Sequence, residues 1–421
     1  MAKKGVFAMI HKEYLEYLKS IANSQATQDR AKLKASAFTR KGKMSFANAL
    51  SFMLDMRKTT LQTRLNQYFQ HIEGGDPISQ QAFSKLRMNF DHSPFETMVR
   101  GSVQKEYSGE YELPLWCGFH VLAVDGSYLQ LPRTDALRDE YGVRGLGDLP
   151  SAGISVLFDV LHGWPLNPII THTNMNERVE FEKHIRFLCD QLPHVASKSV
   201  ITLDRGYPSL DLFTLLQTSD VKFVARCSSM TLKAINEAPL GDTIVTLKNG
   251  ISVRVIKFTL SNGDVEILAT NLLDLPVEAI MELYTFRWGI EVAYFRLKQE
   301  LSVEKFSGKS PNTIRQDFWA SMVLMQAVAV FQQSADEAVH KRQEGKSIKH
   351  VNRARTSDLI ITLRDRFIFA VLSGRPMFCA QEMEYVIKTM ARSVSQVRPG
   401  RSFNRVFKPS DSVRMNLKSR L

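Results

Sequence analysis

Through the first ~115 residues, apolar positions recur at three- and four-residue spacing with few alternating runs, so this stretch reads as mostly helical. Thr60 to Ile72 (TLQTRLNQYFQHI) reads as one amphipathic helix. Gly74-Gly75-Asp76-Pro77 breaks it, and Ser79 is placed to cap a second helix, QQAFSKLRMNF. Two short helices across such a break are compatible with a helix-turn-helix whose second member carries Lys85 and Arg87 outward. Plain packing of two helices is the simpler reading of the same pattern.

From Phe119 the texture changes. FHVLAVDG is a short apolar run ended by Asp-Gly, the pattern of a buried strand. Further strands are predicted at Ser127–Leu131, Gly153–Val160 and Leu166–His172, then a helix from about Asn176 to Leu192. A second buried strand, SVITLD, ends at Asp204, and a helix near Ser209–Thr218 leads into the strand VKFVAR. Residues 242–271 read as a meander of DTIVTLK, ISVRVIKFTL and DVEILAT. Its turns fall at Asn249-Gly250 and Asn262-Gly263, because Asn-Gly between alternating runs favours a hairpin. Asp274 and Pro276 then pair as cap and first-turn residue of a helical stretch reaching about Val303. The remainder is mostly helical, up to a Pro/Gly/Ser/Arg tail from Arg398 that lacks periodicity.

The 421 residues allow two to four folding units at roughly 100–200 residues each. With 44% hydrophobic and 23% charged residues, a mostly disordered chain is excluded. The start MAKKGVFAMIHKEYLEYL has no signal-peptide pattern, and no stretch approaches the ~20 apolar residues of a membrane span. Cys117, Cys189, Cys227 and Cys379 lie far apart without a C-x-x-C pair, so the expectation is a reducing cytoplasm and no zinc ribbon or disulfide framework. His162, His172 and His184 fit no zinc spacing either.

The net charge of +12 is unevenly placed. Residues 1–50 hold ten Lys/Arg against three acids, and residues 398–421 hold seven against one, which leaves the body near neutral. Basic ends on a neutral body fit a polyanion partner, and they equally serve solubility. Lys32, Lys34, Arg40, Lys41 and Lys43 are mixed with Phe38 and Phe46, a composition suited to contact with nucleic acid.

Three acids stand out by position. Asp125 and Asp204 are each read at the C-terminal end of a buried strand, where ligands and catalytic groups collect in α/β sheets. Glu291 lies on the following helical stretch, and at 100° per residue Tyr284, Arg287, Glu291 and Lys298 fall within one 60° stripe. Ile290, Ala293, Leu297 and Leu301 form the opposite, core-facing side. Carboxylates converging on one spot repel one another unless a divalent cation neutralises them. Mg²⁺ prefers oxygen ligands, and two ions about 3.5–4 Å apart would stabilise both the attacking and leaving oxygens of a phosphodiester displacement. Arg287 and Lys298 would then hold neighbouring phosphates. The alternative is an ordinary i,i+4 pair, Arg287–Glu291, on a solvated helix, with Asp125 a turn residue. Trp288 could stack on an unpaired base or pack inward. Arg205 and Tyr207 could reach phosphate or fill a turn. Glu177 and Arg178 could approach the site, although first-turn acids also serve the helix dipole.

Y284-x2-R287-x3-E291-x6-K298 resembles the Tyr-Arg-Glu-Lys signature of insertion-sequence family four of the DDE transposases. VDGS around Asp125, LDRGYPS around Asp204 and RWGIE before Glu291 resemble it too, over about residues 118–325. This resemblance implies an α/β fold: a ribonuclease-H-like catalytic domain interrupted by a β-rich insertion and flanked by helical N- and C-terminal regions. The boundaries would be 1–115 for a helical DNA-end-binding region, 116–226 and 273–330 for the catalytic domain, 227–272 for the insertion, and 331–421 for a helical region with the basic tail. Asp125, Asp204 and Glu291 would bind metal, two Mg²⁺ ions with Mn²⁺ as substitute. Tyr284, Arg287 and Lys298 would contact phosphates near the cut. The implied activity is cleavage at transposon ends and transfer of the freed 3′-hydroxyl into target DNA by a cut-and-paste route. The implied partners are double-stranded DNA, as terminal inverted repeats and target, and a second subunit in the synaptic complex, with no membrane and a nucleoid-associated, cytoplasmic location. The rival expectations are a metal-dependent nuclease of the same fold without strand transfer, and a transposase-derived DNA-binding protein with inert acids.

Overall fold

In the computed structural model of the chain, His120–Gln130 forms a single strand of 11 residues, β1, that runs through the Asp125-Gly126 pair where the sequence predicts a strand end. The reason lies in its neighbours. From Leu122 to Gln130 one edge is paired antiparallel with β2 (Ser151–Asp159), which pairs in turn with β3 (Trp164–His172). The other edge is paired only at the start, where His120 to Ala123 run parallel to Ser199 to Thr202 of β4 (Ser199–Leu203). Asp-Gly therefore marks the loss of one neighbour, not the end of the strand. Continuing the parallel register by two residues sets Asp125 beside Asp204, the residue that follows β4.

The structure describes residues 11–39, 42–55, 59–70, 75–145, 149–228, 230–260, 263–347, 350–372 and 376–397. Lys41, Arg40, Asn262 and the basic tail from Arg398 lie outside them. Before β1 come α1 (His11–Ala22), α2 (Gln25–Ala31), α3 (Phe46–Met53), α4 (Leu61–Tyr68), α5 (Gln80–Arg87) and α6 (Ser93–Glu106). Beyond β1 the helices are α7 (Asp135–Tyr141), α8 (Glu177–Gln191), α9 (Pro193–Ala196), α10 (Leu210–Thr218) and α11 (Lys233–Asn236). The strands β5 (Lys222–Cys227), β6 (Gly241–Thr246), β7 (Ser252–Thr259) and β8 (Val265–Thr270) precede α12 (Val277–Thr285) and α13 (Trp288–Phe295). Last come α14 (Pro311–Gln343), β9 (Asn352–Ala354), α15 (Thr356–Leu372), α16 (Pro376–Met390) and β10 (Val394–Gln396). Among the described residues no helix is long and apolar enough to cross a membrane.

The chain divides into two compact units, and the first holds residues 103–130 and 138–296. Its mixed sheet has eight strands in the order β3-β2-β1-β4-β5-β8-β7-β6. The meander predicted for residues 242–271 is hydrogen-bonded into this sheet through the β5–β8 pair and does not form a layer of its own. On one side Val121, Val200, Val224 and Leu268 meet Ile280, Leu283 and Tyr284 of α12 in one apolar cluster. Arg254 of β7 fixes the approach to that helix. It forms a two-pronged pair with Asp242 (2.9 and 2.7 Å) and donates to the carbonyls of Leu272, Leu273 and Leu275. Pro276, not Asp274, occupies the cap position of α12, and no side chain caps that end.

The second unit contains residues 11–102, 131–137 and the chain from Leu297 onward. It is built on α14, whose 33 residues are buried through most of their middle, from Ile314 to Phe331. Phe46 packs edge-on with Phe38 and Phe90 here, with Phe46 and Phe90 buried and Phe38 half-buried. Ser79 caps α5 as predicted, but Arg87 does not point outward. It is 2% exposed, with an ion pair to Asp317 (2.9 Å) and hydrogen bonds to Gln316, Ser307 and the Thr313 carbonyl. A guanidinium satisfied on every arm inside a helical core orders that core and is not available to a phosphate. Arg87→Met should lower stability by roughly 3–5 kcal/mol, because it leaves the Asp317 carboxylate without its buried partner. A fall in the urea midpoint checks this. An unchanged midpoint together with a flatter salt dependence of DNA affinity would restore Arg87 as a phosphate contact.

Candidate active site

The acids singled out in the sequence come together in the first unit. Asp125 is half-buried at the point where β1 loses β4 as a neighbour, and Asp204 is half-buried directly after β4. Glu291, in the first turn of α13, accepts a 2.9 Å hydrogen bond from Arg287. Arg287 is close enough to both Asp125 and Asp204 to act on their charges. One guanidinium thus ties the three acids to one locality. Tyr294, three residues beyond Glu291, donates its hydroxyl to the Asp125 carbonyl at 2.6 Å and latches α13 onto β1.

The helix carrying these groups is not the straight rod the sequence predicts. Between α12 and α13 the backbone tightens into i→i−3 bonds, from Phe286 N to Leu283 O, Arg287 N to Tyr284 O and Gly289 N to Phe286 O. The 60° stripe is consequently not a solvent face. Tyr284 is 7% exposed within the apolar cluster under α12, and Arg287 is 4% exposed. The outer face is apolar instead, with Trp288 51%, Val292 48% and Phe295 57% exposed. The Arg287 guanidinium lies 4.8 Å from the Trp288 ring centre and 5.8 Å from that of Tyr284. After α13 the backbone widens into a π-type turn, Arg296–Glu300, which carries the half-buried Lys298 and ends the register predicted to reach Val303.

The electrostatics follow from this crowding. Burial raises the Asp125 carboxyl to about 6; the Gly126 N–H and Arg287 oppose the rise, while Glu177 and Asp204 add to it. Burial lifts the Tyr284 phenol to about 12. Burial alone would lower the Arg287 pKa, yet Tyr284, Asp204 and Glu291 together leave it above its ordinary value. Among the described residues, Asp204 Oδ1, the Tyr284 hydroxyl and Arg287 Nε are buried atoms with no hydrogen-bond partner. Unpaired buried polar atoms are costly, and here they converge where an oxygen-only donor set suits a hard divalent cation and where donors suit a phosphate. The residues present fit such a metal.

Arg205 is exposed beside Asp204. Lys43, Lys85, Arg87 and Lys298 belong to the second unit, Lys43 and Lys85 exposed on it. Sequence reasoning gave no weight to Tyr294, whose spacing from Glu291 carries no signal, and it left Glu177 open between an approach to the site and a dipole role. Yet Glu177 stands beside Asp125, and Tyr207 is fully buried within reach of Glu177, Asp125 and Asp204.

A separate group that could hold a metal ion lies at the start of β1, about 16 Å along the strand from Asp125. It comprises His120, Asp159 and His162, whose ligand atoms fall within 4.8 Å of one another. Asp159 there accepts hydrogen bonds from the Tyr107 hydroxyl (2.7 Å) and the His162 ring (2.8 Å). Spacing could not reveal this trio, because His120 comes from a different element. His184 plays a structural part between Ser155 (2.9 Å) and Asn167 (3.0 Å), neutral because burial lowers its pKa to about 3.

A family model for the transposase DDE domain matches residues 116–325. Transposase InsG for insertion sequence element IS4 of Escherichia coli K12 is 25% identical over 235 residues, 50% of this chain and 51% of that protein. The protein y4zB of Sinorhizobium fredii, provisionally named a transposase, is 26% identical over 147 residues, 31% of this chain and 41% of its own length. The chain spans about half or less of the length of these curated relatives. A solved structure, the piggyBac transposase synaptic complex with hairpin DNA, is similar at a TM-score of 0.46 and 13% identity, over 93% of this chain and 84% of that one.

The raised Asp125 pKa has a definite sign for the metal-free protein. Its ordinary value is 3.8 and its folded value about 6, so the stability it contributes is intact below the first and lost as pH rises through the second. Asp125→Asn should therefore melt above the wild type near neutral pH, by the equivalent of roughly 3 kcal/mol. The gap should close as the pH falls towards the ordinary value; equal melting temperatures throughout would contradict the assignment.

Proposed function

Because the chain belongs through residues 116–325 to the transposase DDE domain family, we propose that it is a DNA transposase that cuts phosphodiester bonds at transposon ends and joins those ends to target DNA. What supports this reading is the β1–β4 register, which continues to Asp125 beside Asp204, together with the Tyr294 hydrogen bond that ties α13, the helix bearing Glu291, to the Asp125 carbonyl. The strand order β3-β2-β1-β4-β5, with β1, β4 and β5 parallel and β2 reversed, supports a ribonuclease-H-like core. The meander β6–β8, between Asp204 and Glu291 in sequence, would be its insertion. The helical regions before residue 116 and after residue 330 would serve end binding and assembly.

Asp125, Asp204 and Glu291 would hold divalent cations, Mg²⁺ with two per site and Mn²⁺ as substitute. When bound, these neutralise the carboxylates and stabilise the attacking and leaving oxygens of the displacement. In the first reaction water displaces the 3′-oxygen at a transposon end and leaves a 3′-hydroxyl. In the second that hydroxyl attacks a target phosphodiester, and the target's own 3′-oxygen departs. Arg287 holds the Glu291 carboxylate and offers its free Nε to a phosphate oxygen, as Tyr284 offers its hydroxyl. Trp288 presents an exposed ring for an unpaired base near the cut. Arg205, Lys298, Lys43, Lys85 and Lys41 supply further phosphate contacts, and two subunits pair the two inverted-repeat ends.

A cleavage and strand-joining assay on DNA carrying the inverted repeats, with Mg²⁺ or Mn²⁺, tests this. Asp204→Asn and Glu291→Gln should each lower both reactions by roughly 10²–10³-fold or more while end binding stays near wild type. Cleavage without joining would mark a nuclease, and full activity in either variant would remove these acids from the chemistry.

A further inference from the structure

A fourth acid stands in this centre without a role. Glu177 is the first residue of α8, whose N-cap Asn176 accepts from the Arg178 N–H. An acid at a helix start is ordinarily accounted for by the helix dipole. This one has a more particular position. Gly126 follows Asp125 on β1 and pairs with Ser155, which bonds His184 of α8, so the missing side chain of Gly126 would project towards α8. A Cβ at Gly126 would lie 2.9 Å from Glu177 Oε1 and 2.7 Å from Met175 Cε. On the other side, Glu177 Oε2 is 3.4 Å from where a Cβ of Gly206 would be, two residues after Asp204. The carboxylate is thus inserted between the two aspartate-bearing segments. Arg178 keeps it there by donating to the carbonyls of Gly206 and Pro208, both at 3.4 Å.

Among the described residues neither oxygen of Glu177 makes a hydrogen bond or ion pair. Tyr207, 1% exposed and with no partner for its hydroxyl among the described residues, is held in the combined field of Glu177, Asp125 and Asp204. Glu177 also acts on Asp125 more strongly than Asp204 does. Glutamine at this position would remove the repulsion at no steric cost. A half-buried carboxylate without a protein partner, set between two aspartates, is suited to a divalent cation.

Resting on the reading of Asp125, Asp204 and Glu291 as a metal centre, we propose that Glu177 is a fourth carboxylate ligand of that centre, admitted between Asp125 and Asp204 by the glycine at position 126. The signature acids supply three of its oxygen donors, and α8 supplies the fourth.

Mn²⁺ titration of the metal-stripped full-length chain, followed by calorimetry and by the Mn²⁺ spin-resonance signal, tests this without turnover. Glu177→Gln should weaken Mn²⁺ binding by about tenfold or more and shrink the rise in melting temperature that Mn²⁺ produces. The metal-free variant should melt no lower than wild type, since one of several repelling charges has gone. Gly126→Ala provides a second variant. Its Cβ displaces only the ends of two flexible side chains, Glu177 and Met175, and the same loss of Mn²⁺ affinity is expected. Wild-type affinity in both variants, with Asp125→Asn losing the metal, would overturn the role of Glu177 and leave the metal centre standing. Wild-type affinity in Asp125→Asn as well would overturn the centre itself. A lower melting temperature for Glu177→Gln with unchanged Mn²⁺ affinity would return Glu177 to the helix dipole.

Discussion

Carboxylates gathered out of water repel one another, and in this chain the buried guanidinium of Arg287 stands against them. Arg287 is itself desolvated, and Tyr284, Asp204 and Glu291 offset that cost by favouring its charged form. That mutual dependence explains much of the surrounding architecture. The tight i→i−3 turn between α12 and α13 turns Arg287 inward, and the apolar cluster beneath Tyr284 anchors the helix before it. Arg254 pins the segment leading into α12, so the meander β6–β8 contributes to the placement of Arg287 although it carries none of the acids.

The second determinant is the register of β1. Antiparallel pairing with β2 carries the strand past Asp125, while parallel pairing with β4 stops short of it. The sheet is therefore continuous on one side of Asp125 and open on the other, and Asp204 emerges into the same opening. Few loop residues are needed to bring these two carboxylates together, because sheet geometry does it.

Much of this was legible in the sequence where local chemistry decides conformation. Ser79, Asn176 and Ser209 cap the helices predicted for them, and strands β2 to β8 lie where apolar runs and turn residues indicated. Local chemistry misled where a partner element decides. Asp125-Gly126 has a turn composition, yet the β2 ladder carries the strand through it. Arg87 sits on a short, polar-looking helix, and only its distant partner Asp317 shows why it is buried. Periodicity at 100° per residue assumed an uninterrupted helix, so it could not foresee that Tyr284 and Arg287 would face inward and Trp288, Val292 and Phe295 outward. Glu177 carries no distinguishing pattern at all, because its meaning depends on an absent side chain on another strand.

The Tyr294 latch has one more property. Its hydroxyl is bonded to the main-chain carbonyl of Asp125 and not to the carboxylate. The grip of α13 on β1 therefore does not use the carboxylate as its acceptor, and the bond can form whether that group is charged, protonated or neutralised by a ligand. Burial and the Asp125 charge both raise the Tyr294 pKa, so the hydroxyl stays protonated and keeps its role as donor. The site can pass through large changes of charge while the helix presenting Glu291 stays in place.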